Sequence, residues 1–334
     1  MLDYNRKDER LQDLDSKGKP RPWREKKLAN LNLAKSYGRL KDGAVVDEAT
    51  EWRNIYVKYE PMVRDCSTYL EFHPDGRLVK MYSCKRRLCA VCNWRKSKKV
   101  FTSVSKVMDV ITDMNSDIQP VFLTLTQKNC AFDDLEAEIK RMFEGFARLQ
   151  RNRVVKEQAV GWFRALEVTY NKKADEWHPH IHVIMLFNKD YFDKSNKRYI
   201  DQKNLEWSKL WQTSMRLDYV PNVDIRAVKV KDGNKRKAIA EVAKYPLKDK
   251  EILTKDLPLT DRLVDCLTRS LFCKRLYAFG GLMAKVAKEL KVDKPDEGDL
   301  IVVGDENETI RADIANVMIV YKWHFGLLDF IRVR

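Results

Sequence analysis

Two runs of sequence, Trp162-Phe-Arg-Ala-Leu-Glu-Val-Thr-Tyr170 and His178-Pro-His-Ile-His-Val-Ile-Met-Leu-Phe187, decide how this chain folds. Both are rich in aromatic, aliphatic and β-branched residues, and the polar stretch from Asn171 to Glu176 lies between them. They read as two strands of a β-hairpin. Side chains alternate along a strand, so His180 and His182 share one face and Ile181 takes the other. Two imidazoles on one face can grip a divalent cation, with Val183 to Leu186 as a buried platform. A register that opposes Glu167 to His180 or His182 adds a carboxylate and leaves coordination positions open. His178, just ahead of the strand, is a weaker third histidine. A lone histidine would read as an ordinary half-buried residue; a histidine pair with a carboxylate does not.

Outward from the hairpin, Val121-Phe-Leu-Thr-Leu-Thr126 reads as a further strand. Asp133 to Asn152 carries Leu135, Ile139, Met142, Phe143, Phe146 and Leu149 at helical spacing, with Asp133 or Asp134 as N-cap. Residues 201–218 and Lys237 to Lys244 read as helices, and Asn222 to Val230 as a strand. Toward the N-terminus, Trp23 to Leu40 is helical, as is the segment with Trp52, Ile55, Tyr56 and Tyr59. Residues 262–291 read as one long helical region broken at Gly280-Gly281. Leu300–Val303 and Val317–Tyr321 are β-prone. These readings divide the chain into a polar N-terminal segment (1–45), a helical and cysteine-bearing module (46–105), an α+β core (106–260) and a C-terminal helical region with a β-prone tail (261–334).

Charge adds a partner class. Lys+Arg number 64 against 49 Asp+Glu, a net charge of +15 with pI near 9.3. That balance points to a polyanion, and nucleic acid is the commonest one. Hydrophobic residues make up 44%, which excludes wholesale disorder. No apolar run nears the roughly 18 residues of a membrane span. The start, Met1 to Asp15, has no apolar core of a secretory signal, so a cytoplasmic location is expected.

Seven cysteines make no disulfide framework. Cys84, Cys89 and Cys92 give C-x4-C-x2-C, with Cys66 upstream, and four thiolates suffice for one closed structural Zn²⁺ site. Cys130, Cys266 and Cys273 have no matching spacing and read as core thiols. Arg86, Arg87, Arg95 and Lys96, with Trp94 as a stacking aromatic, read as a DNA-tracking surface. A second basic run, Lys235, Arg236 and Lys237, precedes the segment Ala240-Glu-Val-Ala-Lys-Tyr-Pro-Leu-Lys-Asp249, where Lys244 adds a further charge. There Glu241 and Tyr245 sit four apart on one helix face, and Pro246 kinks or ends the helix.

Three segments in order, Val121–Gln127, His178–His182 and Ala243–Lys248, resemble the three motifs of rolling-circle replication initiators of small plasmids. Among these HUH endonucleases the likeness is to the single-tyrosine group of Gram-positive plasmids. It runs from about Cys66 to Leu300 and includes Lys274-Arg-Leu-Tyr-Ala-Phe-Gly-Gly-Leu282. The resemblance implies a relaxase-like core, an antiparallel sheet flanked by helices with the histidine strand near its centre. It implies His180, His182 and Glu167 as ligands of Mn²⁺ or Mg²⁺, Tyr245 as nucleophile and Lys248 as a phosphate contact. It further implies Glu241 as base for a terminating hydrolysis, plasmid origin DNA as substrate and a host helicase as partner.

Competing readings are fewer. Non-haem iron oxygenases use the same ligand set but leave the basic charge unexplained. The zinc deaminase pattern needs a glutamate where His182 stands. Another HUH transposase or relaxase would share the chemistry. A non-catalytic zinc-containing DNA-binding regulator would leave the histidines and tyrosine without a task.

Overall fold

The computed structural model describes residues 9–15, 17–43, 50–115, 117–192, 205–228, 234–243, 248–292, 300–301 and 318–333. Along the chain lie α1 (Trp23–Gly43), α2 (Thr50–Asp65), β1 (Tyr69–Phe72), β2 (Leu78–Met81), α3 (Ala90–Met114), β3 (Ile118–Leu125) and β4 (Cys130–Ala131). Next come α4 (Leu135–Arg151), α5 (Arg153–Gln158), β5 (Ala159–Asn171), β6 (Glu176–Asn188), α6 (Leu205–Met215), β7 (Val223–Ala227) and α7 (Asn234–Val242). The chain continues with α8 (Asp249–Ile252), α9 (Leu257–Ser270), β8 (Tyr277–Gly280), α10 (Gly281–Glu289), β9 (Ile319–His324) and β10 (Asp329–Val333). Helices and antiparallel sheets are mixed, as an α+β class requires. No helix among the described residues is long and apolar enough to cross a membrane.

Two compact units form, and neither is continuous in sequence. Unit 1 comprises Met1–Lys99, Ile252–Thr268 and Asp299–Arg334; unit 2 comprises Val100–Glu251 and Arg269–Gly298. Unit 1 holds an antiparallel sheet in the order β10-β9-β1-β2. Trp23, Phe72, Trp323 and Phe330 are buried on it, with edge-to-face contacts between Trp23 and Phe72 and between Trp323 and Phe330.

Unit 2 is built on a sheet in the order β7-β3-β6-β5-β8, with β4 also paired to β6. β6 is paired on both sides, and Ile181 to Phe187 are buried continuously. Such a strand reads as an apolar run and not as an alternation. Helix α4 buries Leu135, Ile139, Met142, Phe146 and Leu149, a stripe at three-to-four-residue spacing. A 3₁₀ turn, Phe132–Asp134, leads into it, and Asp134 occupies the N-cap position without a capping side-chain hydrogen bond.

The region 262–291 departs from its expected form. It is helix, strand, helix, and β8 adds to the sheet against β5 with Trp162 opposite Gly280 and Ala165 opposite Tyr277. The two glycines form a strand-to-helix corner. A Cβ on Gly280 would lie 2.1 Å from the Trp162 ring, and Gly281 has φ +57° with Val160 O 2.5 Å from where its Cβ would sit. Cys130 is buried, but Cys273 is exposed and is not a core thiol.

Candidate metal centre and nucleic-acid surface

The hairpin register sets Glu167 of β5 opposite His180 of β6, and Ala165 opposite His182. The Glu167 Oε2 lies 3.2 Å from His180 Nε2 and 2.9 Å from His182 Nε2. All three ligand atoms fall within 4.8 Å of one another. Both outer nitrogens have partners that leave Nε2 for the centre. His180 Nδ1 is 3.3 Å from the His178 carbonyl oxygen, and His182 Nδ1 is 3.2 Å from Thr124 Oγ1 on β3. Thr124 is the direct cross-strand neighbour of His182, and Phe122 stacks on the same imidazole at 5.6 Å. A fixed Nδ1 hydrogen bond sets tautomer and ring orientation. Thr124 was not singled out from sequence; finding it needs β3 and β6 known as neighbours.

Burial works against ionising Glu167, but hydrogen bonds from His180 and His182 outweigh it and hold the carboxyl well below the usual carboxylate range. Two imidazoles and one carboxylate suit a divalent first-row ion such as Mn²⁺ better than Mg²⁺, which prefers oxygen ligands, and three ligands leave coordination positions open. The donor set therefore fits the expected cation. His178 lies in the strand rather than ahead of it. Its ring is 5.2 Å from that of His180, and its Nδ1 is held 2.8 Å from Asn129 Oδ1. It is outside the converging group. Burial, with like charge from His180, pushes its pKa below the ordinary value.

Helix α7 packs against β6, burying Ile239 and Val242 while Glu241 stays half-buried. Tyr245, with Lys244, Pro246 and Leu247, lies outside the described residues. Lys248 is exposed and pairs with Glu251 at 3.1 Å. That pair raises its pKa, with smaller contributions from Glu167 and Glu241.

In unit 1, Cys66 follows α2, Cys84 follows β2, and Cys89 and Cys92 open α3. Their Sγ atoms converge within 4.8 Å, all buried. The basic residues beside them divide. Arg95 is fully buried, its Nε donating to the Leu300 carbonyl at 2.9 Å and its Nη2 to that of Ile301. It lies over both the Trp23 and Trp94 rings, which meet edge to face, and Trp94 is buried too. Neither is a DNA contact: a guanidinium that closes backbone carbonyls in the core is structural. Arg95→Ala should lower unfolding stability by about 3 kcal/mol, the range of lost charged hydrogen bonds in a buried site. Urea unfolding would read that loss, and the salt slope of DNA binding should stay unchanged.

Arg86, Arg87 and Lys96 are half-buried, and Arg86 lies over Tyr59. Lys235 is committed to an ion pair with Asp109 and a contact to Thr112. Arg236 and Lys237 are exposed on α7. Fewer of these charges are exposed than the basic runs suggest.

A family model, Rep_1, described as "Replication protein", matches residues 75–328. A "Protein rep" of Streptococcus pneumoniae serotype 2 is 34% identical over 312 residues, 92% of each chain. One from Bacillus amyloliquefaciens is 34% identical over 346 residues, 96% of each chain. One from Lactiplantibacillus plantarum is 31% identical over 331 residues, 96% of this chain and 98% of that one. No solved structure matches.

Proposed function

The chain belongs to the Rep family of replication proteins, the plasmid replication initiators, and from that premise we propose that it nicks its plasmid's double-strand origin through Tyr245. The observation that carries this reading is the convergence of Glu167, His180 and His182 on two paired strands. The unit 2 sheet, with its histidine strand interior, fits an HUH endonuclease core. Mn²⁺ or Mg²⁺ bound there would neutralise and polarise the scissile phosphate. A phenol with an ordinary pKa near 10 is otherwise a weak nucleophile at neutral pH.

In the nicking step the Tyr245 oxygen bonds to phosphorus and loses its proton, and the P–O3′ bond breaks. The 3′ oxygen takes up a proton and becomes a primer hydroxyl. The 5′ phosphate stays on the tyrosine as a diester, so strand closure needs no ATP. Lys248 contacts the phosphate. A host helicase is the partner that opens the duplex ahead of synthesis. The packing of α7 on β6, three residues before Tyr245, supports this arrangement.

The test is cleavage of supercoiled origin DNA with Mn²⁺ or Mg²⁺ and with EDTA. Nicked circles with protein on the 5′ end are expected only with metal. Tight origin binding without any cleavage would favour a non-catalytic regulator.

Two variants separate roles. A single-tyrosine enzyme lacks a second tyrosine for the last transfer, so Glu241 acts as base toward water. Glu241→Gln should leave nicking near the parent rate and slow hydrolytic release by about 10²–10⁴-fold, the usual worth of general base catalysis. Accumulated protein–DNA adduct on denaturing gels would report it. Thr124→Val removes the hydroxyl that holds His182 and suits a strand. It should raise the Mn²⁺ concentration for half-maximal nicking by about tenfold, the low end for loss of a ligand-orienting group. A Mn²⁺ titration of nicking rate is the check.

A further inference from the structure

Unit 1 contains a second cluster of ligand atoms, remote in chemistry from the nicking reaction. The Sγ of Cys66 lies 3.6 Å from that of Cys92 and 3.5 Å from that of Cys89, and Cys84 Sγ lies 3.8 Å from Cys92 Sγ. These spacings are far above the roughly 2.05 Å of a disulfide. They match the edge of a tetrahedron of thiolates, about 3.8 Å when each Zn–S bond is about 2.3 Å.

Groups around the sulfurs donate toward them. Asn30 Nδ2 of α1 donates to Cys89 Sγ at 3.1 Å, and its Oδ1 accepts from Ala90 N–H at 2.7 Å. The backbone N–H of Lys85 donates to Cys92 Sγ at 3.3 Å, and that of Cys92 to Cys89 Sγ at 3.4 Å. Donors aimed at sulfur favour thiolates over thiols.

Lys27 supplies the decisive observation. Its side chain is fully buried. Its Nζ donates to the carbonyl oxygens of Arg64, at 2.5 Å, and of Cys66, at 2.6 Å. No carboxylate among the described residues pairs with it, and Asp65 is engaged by Arg64. A buried ammonium held by neutral carbonyls alone is expensive to keep. Four thiolates around one Zn²⁺ carry a net charge of −2, and Lys27 stands on the backbone of one ligand.

We propose that Cys66, Cys84, Cys89 and Cys92 hold one structural Zn²⁺ as a tetrathiolate, and that Lys27 is its internal counter-ion. All four positions are filled by protein, so the site orders unit 1 and does no catalysis. The four ligands join the end of α2, the segment after β2 and the start of α3, and α1 supplies Lys27 and Asn30 around them. This assignment is independent of the nicking reading, because its test uses no DNA.

The full chain, purified without added metal, should carry one zinc per chain by elemental analysis, retained through EDTA dialysis and released by mercurial thiol modification. Replacement by Co²⁺ should give thiolate-to-cobalt charge-transfer bands and intense visible bands of a tetrahedral thiolate site. A chain that folds with reduced cysteines and no metal, or a cobalt spectrum of oxygen ligation, would overturn the site. Lys27→Met, with its helical content checked by circular dichroism, should lose zinc to EDTA about 10- to 100-fold faster, the range for loss of an outer-shell partner. Release at the parent rate would overturn the counter-ion role. Should Lys27→Met fail to fold, Asn30→Ala tests the same shell, with faster release expected and parent-like release counting against it.

Discussion

Tyr245→Phe is expected to abolish nicking, with loss of more than about 10³-fold as for other enzymes stripped of a nucleophile. Origin binding should be retained. The change removes one oxygen and keeps the ring, so an effect confined to cleavage isolates the nucleophile. Protein-linked 5′ ends should vanish with it. A nicking assay and a mobility-shift assay on the same preparation check both statements. Equal nicking by the variant would move the attack to an activated water and remove Tyr245 from the mechanism.

His180→Ala and His182→Ala should each lower metal-dependent nicking on the order of 10³-fold, the loss of several kcal/mol of charge stabilisation at the phosphate. Each leaves two of the three converging ligands. His182 is also the more embedded of the two, stacked on Phe122 and tied to Thr124. Its replacement should therefore lower thermal stability more than replacement of His180. Rates measured across a Mn²⁺ series, with melting curves alongside, separate ligand loss from unfolding. A regulator without catalysis would tolerate both changes.

The candidate centre was legible because its ligands sit on one hairpin. A period of two, a polar turn from Asn171 and a register opposing Glu167 to a histidine are local properties, and the pairing of Glu167 with His180 follows them. Contacts between elements distant in sequence were not legible. Thr124 reaches His182 only because β3 is the other neighbour of β6. Arg95 sits in a basic run yet is buried, because it meets the carbonyls of Leu300 and Ile301 some two hundred residues away. Tyr277 to Gly280 carries apolar spacing that suits a helix, but pairing with β5 makes it a strand. The glycine pair that reads as a helix break is a corner between strand and helix. In each case a long-range contact overrides a local pattern.

The most direct test of the central claim is to trap the protein on origin DNA, digest both components and locate the nucleotide adduct by mass spectrometry. The account predicts a phosphodiester adduct on the Tyr245 hydroxyl, formed only with Mn²⁺ or Mg²⁺. An adduct on another residue, or cleavage that leaves free 5′ phosphate with unmodified protein throughout, would contradict it.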